Sequence, residues 1–164
     1  MLTVDRIRNA WKAIIESLVM DVEFISVWSW PLDDKQEVKY PAALWRPIIT
    51  SEIITEAFGF QDLFEVNITF ADQTASDREA AERDSAHDRM ETIAKVCWQR
   101  FATLYILNSA TFQGVTFDFA QDPVVRFMPM WDTAGKHKTG VTMSVTLRSQ
   151  SPAICLDDYF VSAA

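Results

Sequence analysis

Two segments of the chain alternate strictly between apolar and polar residues, and this alternation most constrains the fold. Every second residue is apolar from Phe64 to Phe70, and again from Val141 to Leu147. Successive side chains of a β-strand point to opposite faces, so each segment is predicted to be a strand with one buried face. Antiparallel sheets covered on one side show this pattern, whereas parallel sheets are buried on both sides. We therefore predict an antiparallel sheet with one wet face.

Two other segments repeat their apolar residues with the period of a helix. The first runs from Thr3, its predicted N-cap, to Val19. The second runs from Ser76 to about Asn108, and Ser76 with Glu79 matches a capping box. Its first half is charged almost all round and its second half is amphipathic. We expect the amphipathic second half to anchor the helix and the charged first half to project or to meet another surface. A break in the helix near the charged half also fits the sequence.

The remaining segments are predicted mainly as strands and turns. Val22 to Trp30 is expected to be a strand, and Pro41 and Pro47 favour an edge strand or irregular arm over Glu37 to Trp45. Ile48 to Phe60 fits either a short helix or a loop. Later segments complete the pattern: a strand at Val115 to Phe119, a non-central strand at Val124 to Trp131 because of Pro129, a hairpin loop at Asp132 to Gly140, and a tail from Ser151 to Ala164.

These elements together predict the fold class. Helices and strands alternate in an order that suits two layers, with the helices covering one face of the sheet. The chain has 164 residues, which suits one domain. We therefore predict an α+β fold in which two main α-helices pack on one face of an antiparallel sheet, in a single domain spanning residues 1–164 with residues 151–164 as its C-terminal tail.

Charge and composition narrow the function classes. The formal net charge of −8 would repel duplex DNA, so sequence-specific nucleic-acid binding is not expected. No apolar run reaches the roughly 20 residues that cross a bilayer, and no signal peptide is recognisable, so no membrane association is expected. Cys97 lies in a helical apolar stripe and is predicted to be buried and inert. Neither Cys97 nor Cys155 has zinc-site spacing, so no zinc site is expected. With two cysteines in the chain, we expect a reducing compartment.

Two groups of residues contain side chains that could act in catalysis or bind a metal ion. Asp84, His87, Asp88 and Glu91 share one helical face, although an ordinary solvated helix face has the same spacing. Asp33 and Asp34, followed by the Glu37-Val38-Lys39 triplet, resemble the acidic motif of metal-dependent nucleases, but an exposed turn explains them better. No phosphate-binding loop or nucleophile elbow is present. We therefore expect no catalytic residues, no metal and no cofactor, and favour a structural protein over an enzyme.

One family shares the organisation of this chain. The segment Phe127 to Asp132 precedes Lys138 to Leu147, in which a Gly-hydrophobic step leads into a strongly alternating strand. Together with the order of helices and strands, this pattern resembles the tail terminator and tail completion proteins of tailed bacteriophages. The resemblance implies a ring of subunits, six in number, at the head–tail junction of a virion assembled in the host cytoplasm. Its partners would be copies of itself and the tail tube or connector, and it would have no active site.

The resemblance implies that loops and strand edges make the contacts. The candidate contact segments are Glu37 to Trp45, Ile48 to Phe60 and the loop Asp132 to Gly140. The aromatic residues in or beside them fit core packing or an interface equally well, and the basic tip of the last loop fits a flexible contact element. The candidate interface residues are Trp45, Phe58, Phe60, Trp131, Lys136, His137 and Lys138.

Three other functions stay open at this point. A connector or adaptor ring protein of the same particle would bind the portal rather than the tail tube. A small metal-dependent nuclease or hydrolase would use the Asp33 to Lys39 region. A host-encoded ligand-binding domain would need a deep apolar pocket between sheet and helices.

Overall fold

Two long antiparallel strands, β4 (Gly59–Gln73) and β8 (Lys138–Gln150), form the centre of the protein. The computed structural model describes residues 3–26, 38–46, 51–56, 59–74, 80–112, 115–116, 124–131 and 138–150. The register pairs Phe70 with Val141 and Phe64 with Leu147, so the apolar residues of both strands share one face and are buried there. Both strands predicted from alternation are confirmed, and each is longer than its alternating segment.

Shorter strands flank this central pair. In the described residues, β1 (Glu23–Ser26) pairs in parallel with β2 (Ala42–Arg46), and the strand order is β1-β2-β4-β8-β7. The strand β7 (Val124–Trp131) pairs with β8 at one end of this order, as Pro129 predicted. A separate two-stranded sheet joins β5 (Thr111–Phe112) to β6 (Val115–Thr116). All pairings other than β1 with β2 are antiparallel.

The prediction of an edge strand or irregular arm over Glu37 to Trp45 is wrong for residues 42–45, which belong to β2. The structure places β2 between β1 and β4, inside the sheet. Pro41 precedes the paired run and Pro47 follows it, so neither proline occupies a position within the strand. Five residues between two prolines are enough for a central strand when the prolines lie beyond its ends.

Within the segment from Ile48 to Phe60, the described residues 51–56 and 59–60 form strands, and not the helix or the loop that the sequence suggested. The strand β3 (Ser51–Glu56) pairs antiparallel with the residues from Gly59 to Phe64 at the start of β4. Ile53, Ile54 and Thr55 are β-branched and favour an extended backbone. β3 therefore lies beside the first part of β4, on the edge that β2 occupies further along the strand.

Both main helices pack on one face of the sheet, which confirms the α+β architecture. The helix α1 (Val4–Glu16) begins at Thr3, whose side chain accepts a hydrogen bond from the backbone N–H of Arg6. The helix α2 (Ala80–Phe101) continues into a π-helix at Ala102–Leu107. Side chains from both helices join the inward residues of β2, β4 and β8 in one hydrophobic core.

Aromatic rings connect the two helices within this core. The rings of Trp11 and Phe101 are parallel, with centroids 4.4 Å apart, and Trp98 stacks beside both. Tyr105, in the π-helix, meets Phe101 edge-on at 5.1 Å. Such pairs add stability beyond the apolar area that they bury. The stack therefore fixes α1 against the C-terminal half of α2.

The charged first half of α2 packs against the rest of the protein, whereas the sequence predicted that it would project or meet another surface. The helix is continuous from residue 80 through this half, and Ala86 and Met90 are buried. Instead of projecting, this half packs on the same chain. At 1.5 Å per residue α2 spans about 33 Å, since its α-helical part ends at Phe101. The predicted capping residues Ser76 and Glu79 lie outside the described residues.

The second face of the sheet is not simply wet, contrary to expectation. Ala42, Leu44 and Thr69 are fully buried on it. Ile25, Val38 and Tyr40 pack against Ala42 and Leu44 to form a second, smaller apolar cluster. The segment that precedes β2 thus covers part of this face, which alternation within β4 and β8 could not reveal. Several predicted segments lie outside the described residues. They are the ends of two predicted strands at residues 27–30 and 117–119, the exposed turn at Asp33 and Asp34, and the tail from residue 151.

Gly140 provides a test of the central strand pair. A Cβ atom at this position would lie 1.9 Å from the backbone oxygen of Phe70, so any side chain there must displace β4. We expect Gly140→Ala to lower the free energy of unfolding by about 1–3 kcal/mol, measured by urea denaturation. Ser144→Ala, on the same face of β8, is the control and should have little effect. Equal losses for both variants would contradict this account.

Candidate functional site

Of the residues predicted as an interface, the structure describes the side chains of two, Trp45 and Lys138. Trp45 is 2 % exposed and packs against Phe24, so the core interpretation applies to it. Lys138 begins β8, and its Nζ lies 5.0 Å from the centre of the Tyr40 ring, in a cation–π contact. Phe60 and Trp131 lie in β4 and β7, but their side chains are outside the described part of the chain. Phe58, Lys136 and His137 lie outside it altogether.

The predicted metal-binding face of α2 has other partners in the structure. The Nδ1 atom of His87 lies 3.0 Å from the carbonyl oxygen of Gly140, and its Nε2 atom lies 3.7 Å from Glu91. Glu91 is also bonded to Lys95, and this hydrogen bond lowers the pKa of the Glu91 carboxyl. Across the described ranges, no three His, Cys, Asp or Glu side chains are grouped as a metal site requires. His87 therefore joins α2 to β8.

A second polar contact fixes the same half of α2 and was missed from the sequence. Arg89 forms an ion pair with Asp72, whose side chain is only 10 % exposed. The backbone N–H of Gln73 donates to the same carboxylate at 2.8 Å. The alternating segment ends at Phe70, and the structure continues β4 through Asp72 to Gln73. The charged half of α2 is thus held by a nearly buried carboxylate at the end of a central strand.

This ion pair should contribute more to stability than an exposed one. We expect Arg89→Met to lower the free energy of unfolding by about 1–3 kcal/mol, because Asp72 would lose its charged partner in a nearly buried position. Arg8→Met breaks the exposed pair with Asp5 on α1 and should cost less than about 1 kcal/mol. Urea denaturation of both variants checks the difference. A loss no larger at Arg89 than at Arg8 would show that the Asp72 contact is dispensable.

Cys97 lies in the core, as the sequence predicted. It is a free cysteine with no exposed surface, and burial raises the pKa of its thiol to about 12. The reactive form of cysteine is the thiolate. At neutral pH the native protein therefore holds this thiol protonated and out of reach of solvent.

Thiol labelling tests this placement. In a Cys155→Ser variant, Cys97 is the sole thiol of the chain. We expect an aromatic disulfide reagent at pH 8 to modify it only as fast as the protein opens, and at once in denaturing urea. Modification of the folded protein at the rate of free cysteine would overturn the prediction.

A groove lies between the end of α1 and the start of β1. Its volume is about 560 Å³, and its walls include the carboxylates of Glu16, Asp21 and Glu23 with the ammonium group of Lys39. Lys39 forms an ion pair with Asp21, and its backbone N–H donates to Glu23 at 2.6 Å. The hydrogen bond to Asp21 raises the pKa of the Lys39 ammonium. Lys39, considered above as part of a nuclease motif, thus belongs to this groove.

The rim of this groove is apolar. Val19 is fully exposed and Met20 is 41 % exposed. Both residues follow the end of α1 at Glu16, whereas the predicted helix continued to Val19. We refer to Glu16, Val19, Met20, Asp21 and Glu23 as the acidic groove.

The outward side of β7 combines apolar and basic groups. Val124 is 62 % exposed and Met128 is 46 % exposed, on the sheet face opposite the helices. Arg126 lies between them on the same face and is exposed. Their neighbours Val125 and Phe127 point the other way and pack on the core. We refer to Val124, Arg126 and Met128 as the β7 surface.

Comparisons with known proteins do not place this chain in a family. No protein-family model matches the chain, and no curated protein matches its sequence. Within the described ranges, neither helix has the length and apolar character needed to cross a bilayer.

Proposed function

We propose that this chain is a structural subunit of a tailed bacteriophage or prophage particle, of the tail terminator or tail completion type. In this proposal, copies of the chain form a ring, of six subunits, at the junction of head and tail. The subunit is not an enzyme, and its function resides in the surfaces that contact its own copies and the tail tube or connector. It is assembled in the bacterial cytoplasm and remains in the virion.

The observation that carries this proposal is the position of the exposed apolar residues. The acidic groove adjoins β1 and the β7 surface lies at the other end of the strand order. A ring needs two different contact surfaces on each subunit, one for each neighbour. Exposed apolar side chains that cluster on a folded protein commonly mark such contacts. Val19 and Met20 are neighbours in the chain, and Val124 and Met128 share one face of β7.

The order of elements supports the phage assignment. A leading helix, a set of strands, a long helix and closing strands follow one another as the resemblance implies. The strongly alternating final strand is β8, which pairs with β4 along thirteen positions. A net charge of −8 also suits a conduit through which DNA must pass without adhering.

The test is the state of assembly, alone and with tail tubes. We expect light scattering after size-exclusion chromatography to give about 112 kDa, six times the 18.7 kDa of one chain, and electron microscopy to show rings. We also expect the protein to sediment with purified phage tail tubes. A strict monomer at high concentration, with or without tubes, would contradict the proposal. So would Mg²⁺-dependent cleavage of plasmid DNA that Glu37→Ala abolishes.

A further inference from the structure

The exposed apolar side chains of this protein are concentrated at two distant places. Seven large hydrophobic side chains are exposed in the described residues, and four of them belong to the acidic groove or the β7 surface. These four are Val19, Met20, Val124 and Met128. Neighbouring strands lie about 4.8 Å apart, so β1 and β7, separated by three strands, are roughly 19 Å apart. The two surfaces therefore do not cover each other within one chain.

The charges of the two surfaces are opposite. Glu16, Asp21 and Glu23 line the groove together with Lys39, and Lys12 lies 3.7 Å from the Glu16 carboxylate. Three carboxylates therefore face two ammonium groups, and the groove keeps a net negative charge. The β7 surface presents the guanidinium of Arg126 between two apolar side chains. Guanidinium groups pair well with carboxylates because several N–H donors lie in one plane. The two surfaces thus carry opposite charge, and each also presents exposed apolar side chains.

We propose that the acidic groove of one copy of this chain binds the β7 surface of the next copy. In this contact Arg126 faces the groove carboxylates, and Val124 and Met128 cover Val19 and Met20. Because the two surfaces differ, the contact is head-to-tail and leads either to a closed ring or to an open filament. The inference deepens the proposed ring by naming its subunit junction, and self-association through these surfaces does not itself depend on a phage role.

Two charge reversals test the junction. Arg126→Glu should impair the β7 surface, and Glu16→Lys should impair the groove, each raising the dissociation constant by about tenfold or more. Glu16→Lys breaks the exposed ion pair with Lys12, and exposed pairs contribute little to stability. Because Glu16 is the last residue of α1, where a positive charge is favourable to the helix dipole, the fold should tolerate this change. Sedimentation velocity over a concentration series measures both variants.

Mixing the two variants gives the sharpest result. The groove is intact in Arg126→Glu, and the β7 surface is intact in Glu16→Lys. An equimolar mixture should therefore form at least a heterodimer, although neither variant assembles alone. A contact between two β7 surfaces would be insensitive to Glu16→Lys, and that insensitivity would overturn the proposal. A mixture that stays dissociated would overturn it as well.

Matched variants on α2 control for net charge. Arg83→Glu and Asp88→Lys make equivalent changes at exposed positions of α2, outside both surfaces, and should assemble like the wild type. If they dissociate as fully as the test variants, overall charge and not a specific junction governs assembly, and the proposal fails.

The results also separate this inference from the proposed function. If rings persist in both test variants, the junction is assigned wrongly while the ring function stands. If the test variants dissociate and the wild type does not bind tail tubes, the junction stands and the phage function fails. A wild-type protein that is monomeric throughout overturns both.

Discussion

The pairing of β4 with β8 is the constraint on which the rest of the structure depends. Thirteen positions pair in one register, and this register places four apolar residues of each strand on the same face. A shift of one residue would turn every one of them to the other side. Gly140 allows the two backbones to approach at Phe70, where no Cβ atom fits. The strands β2, β3 and β7 pair with the edges of this pair, β1 extends the sheet beyond β2, and both helices cover its apolar face.

The two ends of α2 are held to this sheet by different physical means. The C-terminal end is fixed by stacked rings, with Trp11 of α1 against Phe101. The N-terminal end is fixed by directional polar contacts, from Arg89 to Asp72 and from His87 to the Gly140 carbonyl. A charged helix surface can thus dock where an apolar one would be expected. Sequence periodicity detects only the first kind of contact.

The sequence predicted features that depend on neighbouring residues. Alternation identified β4 and β8, Pro129 placed β7 at the end of the strand order, and Thr3 marked the start of α1. The sequence did not predict β3, which pairs with residues three to thirteen positions later in the chain. It also did not predict the central place of β2. The acidic groove was missed because its walls come from α1, β1 and Lys39, which are brought together only by folding.

Self-association of an acidic protein requires local charge complementarity. Each copy carries a net charge of −8, so two copies repel each other at long range. At physiological ionic strength this repulsion is screened beyond about 8 Å, whereas a guanidinium in contact with carboxylates is screened much less. A single arginine between two apolar side chains can therefore orient a contact that the average charge opposes. Apolar burial by Val124 and Met128 would then supply the attraction, while Arg126 would determine which surface they meet.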